Sequence, residues 1–162
     1  MMNDRFGIRW GLAGGTTLAS IDEARGAARF AEQAGFDSFW ISHATGVDPI
    51  VTLACFGGDF PGIGEVGTSV VPLYGRHPVG LAQLARTAQN AVGGRLTLGV
   101  GAASRRHVEG ALGLAWDKPY SYTREFIEAL QPLLADGQAD TDGEQVSAHV
   151  QLGIEAQPTP IL

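Results

Sequence analysis

Four times along the chain a short apolar run gives way to a segment of helical periodicity. The repeat is roughly 30 residues, the length of one βα unit. Phe6-Gly7-Ile8-Arg9-Trp10-Gly11-Leu12 reads as a first strand, ended by Ala13-Gly14-Gly15. Ser20-Ile21-Asp22-Glu23 has the spacing of a capping box, and Ala24, Ala27, Ala28, Ala31 and Ala34 recur on one helical face up to Gly35, a left-handed stop. Phe36 to Ile41 is an aromatic-rich second strand. Asp48 then caps a second helix with Pro49 at its first position. That helix carries Ile50, Leu53, Ala54 and Cys55 and ends near Gly57-Gly58, with Cys55 expected to pack as a small hydrophobe. Val66 to Val71 is a third strand. Pro78 opens a third helix with Leu81, Leu84, Ala85, Ala88 and Val92 inward, closed by Gly93-Gly94. Arg95 to Gly101 is a fourth strand. A fourth helix runs from about Ser121 to Ala135 with Phe126, Ile127, Leu130, Leu133 and Leu134 on one stripe. Pro132 clashes with the carbonyl of Glu128, which predicts a kink or an early end.

Alternation of this kind implies a parallel sheet with right-handed crossovers. The tail differs. Ala139 to Glu144 looks like a hairpin turn with Val146 to Leu152 as its return strand, and Pro158-Thr159-Pro160-Ile161-Leu162 begins a further apolar element. Two architectures fit. One is an open doubly wound sheet, complete at about this length. The other is a (β/α)8 barrel cut near its middle, since such barrels take about 250 residues and the chain has 162. Periodicity does not separate them.

Composition narrows the function. A net charge of −6 argues against nucleic acid, whose phosphates need a surplus of Lys and Arg. One cysteine, Cys55, excludes an internal disulfide and a zinc site built on several thiolates. No signal peptide and no membrane span is visible, so a reduced, cytoplasmic, soluble protein with no membrane partner is expected. Glycine, at 23 residues, is about twice its usual share and sits mostly at the joints between elements.

Both architectures put the active site at the C-terminal ends of the strands. Gly14, Gly15, Thr16 and Thr17 stand after strand one, His43 after strand two, and Tyr74, Arg76 and His77 after strand three. Ser104, Arg105, Arg106 and His107 follow strand four. Three of the four histidines and three arginines thus share one face of an acidic chain, which suggests an anionic ligand beside a titratable group. The plain alternative is that His77 and His107 cap helices and that Arg105 and Arg106 are solvated. His43, directly after a buried aromatic strand, should point into the mouth of the site. Gly99-Val100-Gly101-Ala102-Ala103-Ser104 nearly matches G-x-G-x-x-G/A, but ends in Ser and lacks the acidic strand end about 20 residues on. No phosphate-binding P-loop, H-E-x-x-H or G-x-S-x-G is present, so no metal site is expected.

Several segments together resemble the bacterial-luciferase-like superfamily. They are Phe36 to His43, Val66 to Pro72 with His77-Pro78, Gly94 to Gly101, and Trp116-Asp117-Lys118-Pro119-Tyr120 leading into Tyr122 to Leu130. The chain is most similar to that family's coenzyme F420-dependent branch. The resemblance implies the N-terminal part of a (β/α)8 TIM-like barrel in one domain, with parallel strand order 1-2-3-4 and a small hairpin insertion before the fifth strand. It implies hydride transfer between the deazaflavin coenzyme F420 and a small-molecule substrate, with His43 near the reacting carbon as proton donor or acceptor. It places a strand-three bulge with a non-prolyl cis peptide at Ser69 and Val70, behind the ring. Gly101, Ala102 and Ser104 would border the cofactor, and Gly14, Arg76, His77 and Arg105 would take substrate or anion. Where sugar-phosphate-oxidising relatives carry an acidic residue, this chain has Ser104. The relatives' later phosphate-binding loops lie beyond Leu162, so a partial sequence is expected, and the edges of a half barrel favour association, a homodimer for the complete protein. The alternatives are an FMN-dependent monooxygenase of the same superfamily, a non-catalytic fragment, and a complete flavodoxin-like domain of strand order 2-1-3-4.

Overall fold

The computed structural model describes residues 7–162. Phe6 of the expected first strand lies outside them, and the strand itself is β1, Gly11–Ala13, so Ala13 belongs to it. It is followed by α1 (Ile21–Ala34), β2 (Ser38–Ile41), α2 (Pro49–Phe56), β3 (Glu65–Thr68) and β4 (Val71–Pro72). Next come α3 (Pro78–Ala91), β5 (Leu96–Thr97), β6 (Val100–Gly101) and α4 (Pro119–Ala135), then the antiparallel hairpin β7 (Gln138–Thr141) and β8 (Ala148–Gln151).

Strand order decides the architecture. β1 pairs with β2, β2 with β3 and β3 with β5, all parallel and in sequence order. Beyond β5, Leu98 donates its N–H to Pro160 at 2.8 Å and bridges Ile161 in parallel, so the last residues start the next strand beside the fourth. No topological switch occurs among the described residues, and the flavodoxin-like order 2-1-3-4 is excluded. The described residues form the first part of a TIM-like (β/α) barrel.

The third and fourth strands are each broken in two. Gly67 pairs with Thr97, yet Val71 pairs with Val100, so the third strand carries one residue more than its neighbour. That surplus is a bulge. Buried Thr68 fills it, donating its hydroxyl to the Gly99 carbonyl at 2.8 Å, and the Ser69–Val70 peptide within it is cis. Gly99 is obligatory here, because a Cβ would run into the Thr68 carbonyl.

Local chemistry sets the helix ends. Ser20 accepts from the Glu23 N–H, and the Glu23 carboxylate accepts from Ala19 N–H at 2.8 Å, one residue before the position a capping box normally reaches. Gly35 takes φ 79° to end α1. Asp48 accepts from both Ile50 and Val51 N–H.

The core lies between the sheet and the helices: Phe39, Ile41, Leu53, Phe56, Ile63, Leu81, Leu96, Leu98, Phe126 and Leu130 are fully buried. Four expectations on burial and ends change. Ala34 is exposed at the last turn of α1. Leu84 is 40% exposed, while Arg86 and Gln89 are buried in its place. Their polar ends are satisfied by carbonyls: Arg86 donates to Leu133, Leu134 and Ile154, and Gln89 to Leu96 and Pro158. Cys55 is exposed, on an apolar groove of about 400 Å³ between α2 and α3 that Leu84 also lines. The fourth helix begins at Pro119 and passes through Pro132 to Ala135 without ending there. Proline's missing N–H falls in the last turn, so little of the helix remains for it to disrupt. No helix among the described residues is long and apolar enough to cross a membrane.

Candidate active site

The C-terminal ends of the strands open into a cleft of about 280 Å³ lined by His43, Ala44, Thr45, Val70, Pro72, Ala103, Ser104 and His107. Each wall has a local cause. β2 ends at Ile41, so His43 stands where the chain leaves the sheet. The bulge turns Val70 outward, leaving it 41% exposed. Ala103, at φ 64°, adopts a left-handed turn that swings the chain from β6 into a π-helical turn, Arg106–Ala111, and so brings His107 to the rim. Ser104 steadies that turn by accepting from the His107 N–H at 3.2 Å.

His43 is the titratable group with the most unusual setting. Its Nδ1 is buried and makes no hydrogen bond, yet lies 3.5 Å from Asp48 Oδ2. The same oxygen accepts from Arg76 Nη2 at 2.9 Å. Burial holds the imidazole below the ordinary histidine range, with further lowering from Arg76 and His107; Asp48 opposes them. The lowered value favours the uncharged imidazole where His43 faces the cleft.

Of the residues singled out from the sequence, His43, Val70, Ser104 and His107 line this cleft together. Gly101 does not line the cleft but packs against one of its walls: a Cβ there would lie 2.9 Å from Val70 Cγ2, so glycine makes room for the Val70 side chain. Ser69 is exposed within the bulge, its N–H bound to the Ile41 carbonyl at 2.9 Å. Ala102 is half-buried after β6 and does not line the cleft. Arg76 reaches Asp48 and otherwise lines a neighbouring cavity of about 480 Å³ with Asp117 and Gln145.

The other three stand apart. Gly14 is a packing position, where a Cβ would meet the Phe39 ring at 2.8 Å. Arg105 is solvent-exposed, 3.9 Å from Glu109 on its own turn. His77 caps α3: Nδ1 accepts from Val79 N–H at 3.3 Å, which leaves the Nε2 hydrogen for the Ser147 carbonyl at 3.2 Å. Both ring nitrogens are occupied. Tyr74 is taken up in a stack between Trp116 and Tyr122.

Asp48 was legible in the sequence only as a helix cap. A cap uses one carboxylate oxygen, and an aspartate five residues after a site histidine leaves a second one free to act. That was the available signal. Among the described residues no cluster of metal-ligating side chains occurs.

Comparison with known proteins agrees with this fold. A Mycobacterium tuberculosis protein provisionally named a coenzyme F420-dependent oxidoreductase is 37% identical over 105 residues, covering 65% of this chain and 30% of that protein. The structure of coenzyme F420-dependent tetrahydromethanopterin reductase from Methanopyrus kandleri superposes with a TM-score of 0.78 at 20% identity, over 95% of this chain and 49% of that one. The oxygenating constituent of 3,6-diketocamphane monooxygenase from Pseudomonas putida, a complex with FMN, gives 0.76 at 19% identity, over 94% and 48%. The chain spans less than half the length of the curated relatives it matches. The family description "luciferase-like monooxygenase" matches residues 6–162. With its parallel half barrel, its bulged third strand and its histidine at the end of the second, the chain belongs to the luciferase-like monooxygenase family of oxidoreductases.

Proposed function

We propose that the protein carrying this chain is an F420-dependent oxidoreductase that moves a hydride between the deazaflavin and a small organic substrate, with His43 handling the accompanying proton. The observation that carries the proposal is the cleft itself, in which a half-buried neutral histidine faces an apolar wall of Val70, Pro72 and Ala103. The chain's similarity to a protein provisionally named F420-dependent supports the choice of cofactor.

The residues present fit such a group. A flat ring system needs an apolar wall, which Val70, Pro72 and Ala103 supply, and glycine at 101 leaves the room that the Val70 side chain occupies. When bound, the deazaflavin supplies a carbon that accepts or releases a hydride. The chain's own tasks are then distinct. Val70, Pro72 and Ala103 exclude water from one face. His43, its Nδ1 directed at Asp48, keeps Nε2 for taking a proton from a substrate hydroxyl or returning it. Ser104 and His107 form the polar rim against which a substrate is oriented.

Absorbance titration of the full-length protein with F420 and with FMN tests the proposal. Tight binding of F420 with substrate-dependent bleaching or recovery of its visible band is expected. Tight binding of FMN alone, with oxygen consumption, would instead identify a monooxygenase like the FMN-bound structural neighbour.

A further inference from the structure

We infer that Asp48 is the positioning residue of this site: it selects the tautomer of His43 that carries its proton on Nδ1, and Arg76 tunes that hold by sharing the same carboxylate oxygen. The catalytic consequence rests on the role proposed above for His43. The control over the ring stands on geometry alone.

Three loops converge to build the arrangement. His43 leaves β2, Asp48 opens α2, and Arg76 lies in the turn between β4 and α3. Asp48 is the fixed member. Its Oδ1 accepts from Ile50 and Val51 N–H at 3.0 and 3.1 Å, so the helix start immobilises the carboxylate. Oδ2 is thereby presented outward, to Arg76 at 2.9 Å and to His43 Nδ1 at 3.5 Å. A nitrogen lone pair held against a carboxylate oxygen is repelled, whereas an N–H in the same place is attracted. The Nδ1–H form is therefore preferred. Nδ1 is buried although the side chain is 24% exposed, so the accessible surface belongs to other atoms of the side chain. Nε2, unprotonated, is left as the nitrogen that exchanges a proton with a molecule in the cleft.

Arg76 limits how far the carboxylate can charge the ring. The groups facing His43 are Asp48 from α2, Arg76 from the turn before α3 and His107 from the π turn. Only Asp48 favours the imidazolium, and its charge is already shared with Arg76. The arrangement thus orients the ring without protonating it.

Asn and Ser both cap helices well, so substitutions at Asp48 separate its two tasks. Imidazole 15N spectra of the histidine-labelled full-length protein report the tautomer directly. The expected wild-type spectrum shows Nδ1 protonated and Nε2 bare. In Asp48→Asn the amide oxygen keeps the cap and the amide NH2 faces Nδ1, so the tautomer reverses to Nε2–H. In Asp48→Ser no group reaches the ring, and the two tautomers mix. The His43 titration midpoint rises in Arg76→Gln and falls in Asp48→Ser. Retained circular dichroism in the far ultraviolet shows that α2 survives. An Nε2–H wild type, or an Nδ1–H form unchanged in both Asp48 variants, would overturn the inference. A His43→Gln variant that keeps full turnover would remove the catalytic role from His43 and leave Asp48's hold on the ring intact, so the two ideas fail separately.

Discussion

His43 and His77 both follow strands at the same end of the barrel, and they are built for opposite ends. His77 has both ring nitrogens bound to backbone, one to the start of α3 and one to Ser147 ahead of the hairpin strand β8. It is a bracket between distant parts of the chain. His43 keeps a buried Nδ1 without a hydrogen bond, beside a carboxylate that is held for other reasons. Most buried polar groups in folded proteins are satisfied. His77 is held by backbone on both sides, whereas His43 leaves a ring nitrogen unpaired beside the cleft, and that difference motivates the role proposed for it.

The largest expected effect breaks the comparison at its functional side. His43→Asn should lower kcat/KM by about 10²–10⁴-fold, the usual share of a positioned acid or base, with the thermal midpoint nearly unchanged. Steady-state kinetics and a melting curve on the same sample check both halves. Arg86→Met tests the structural pole more severely. It strips the carbonyls of Leu133, Leu134 and Ile154 of a buried donor and should cost about 2–4 kcal/mol in chemical denaturation. His77→Ala should cost about 1 kcal/mol through the lost cap, while activity measured well below the melting temperature changes little. A larger loss of activity than of stability would place His77 back in the site.

The pH dependence sharpens the contrast with the smallest effect. The folded state holds His43 below its ordinary value of 6.5, so the unfolded chain binds more protons in the interval between the two. Its stability contribution is fully present above pH 6.5 and is lost as pH falls through the lowered folded value. Activity that depends on neutral His43 should therefore stay level from neutral pH to below 6.5 and decline only further down. His149 has the opposite sign. Asp140, at 2.7 Å, and Asp142 raise its value, so the hairpin gains from it at low pH and loses that gain as pH rises past the raised value. Nuclear magnetic resonance titration of the two histidines should show the two midpoints on opposite sides of the ordinary one.

Much of the fold was legible because its signals are short-range. Ser20 and Glu23, Asp48 and Pro49, and Gly35 act within a turn, and the helix boundaries follow them closely. Leu84 and Cys55 were misplaced because a helical stripe gives a direction and not what lies in that direction. Arg86 and Gln89 took the buried positions because carbonyls from residues more than 40 positions away receive Arg86, and Gln89 reaches Pro158, which no local pattern displays. The site divides the same way. His43 follows visibly from a buried strand, but its relation to Arg76 and the occupation of His77 by Ser147 appear only when distant loops meet.

The sequence by itself determined the βα rhythm, the caps and the glycine joints, since these depend on sterics and hydrogen bonds between near neighbours. Periodicity left open whether the sheet runs in sequence order toward a barrel, as the family resemblance implied; the strand pairing shows that it does, and such pairing joins strands roughly 30 residues apart. Tertiary structure alone decided which histidine ring is bound by backbone on both sides and which one faces the cleft. That depends on where every competing donor and acceptor finds its partner, and those partners come from the whole fold.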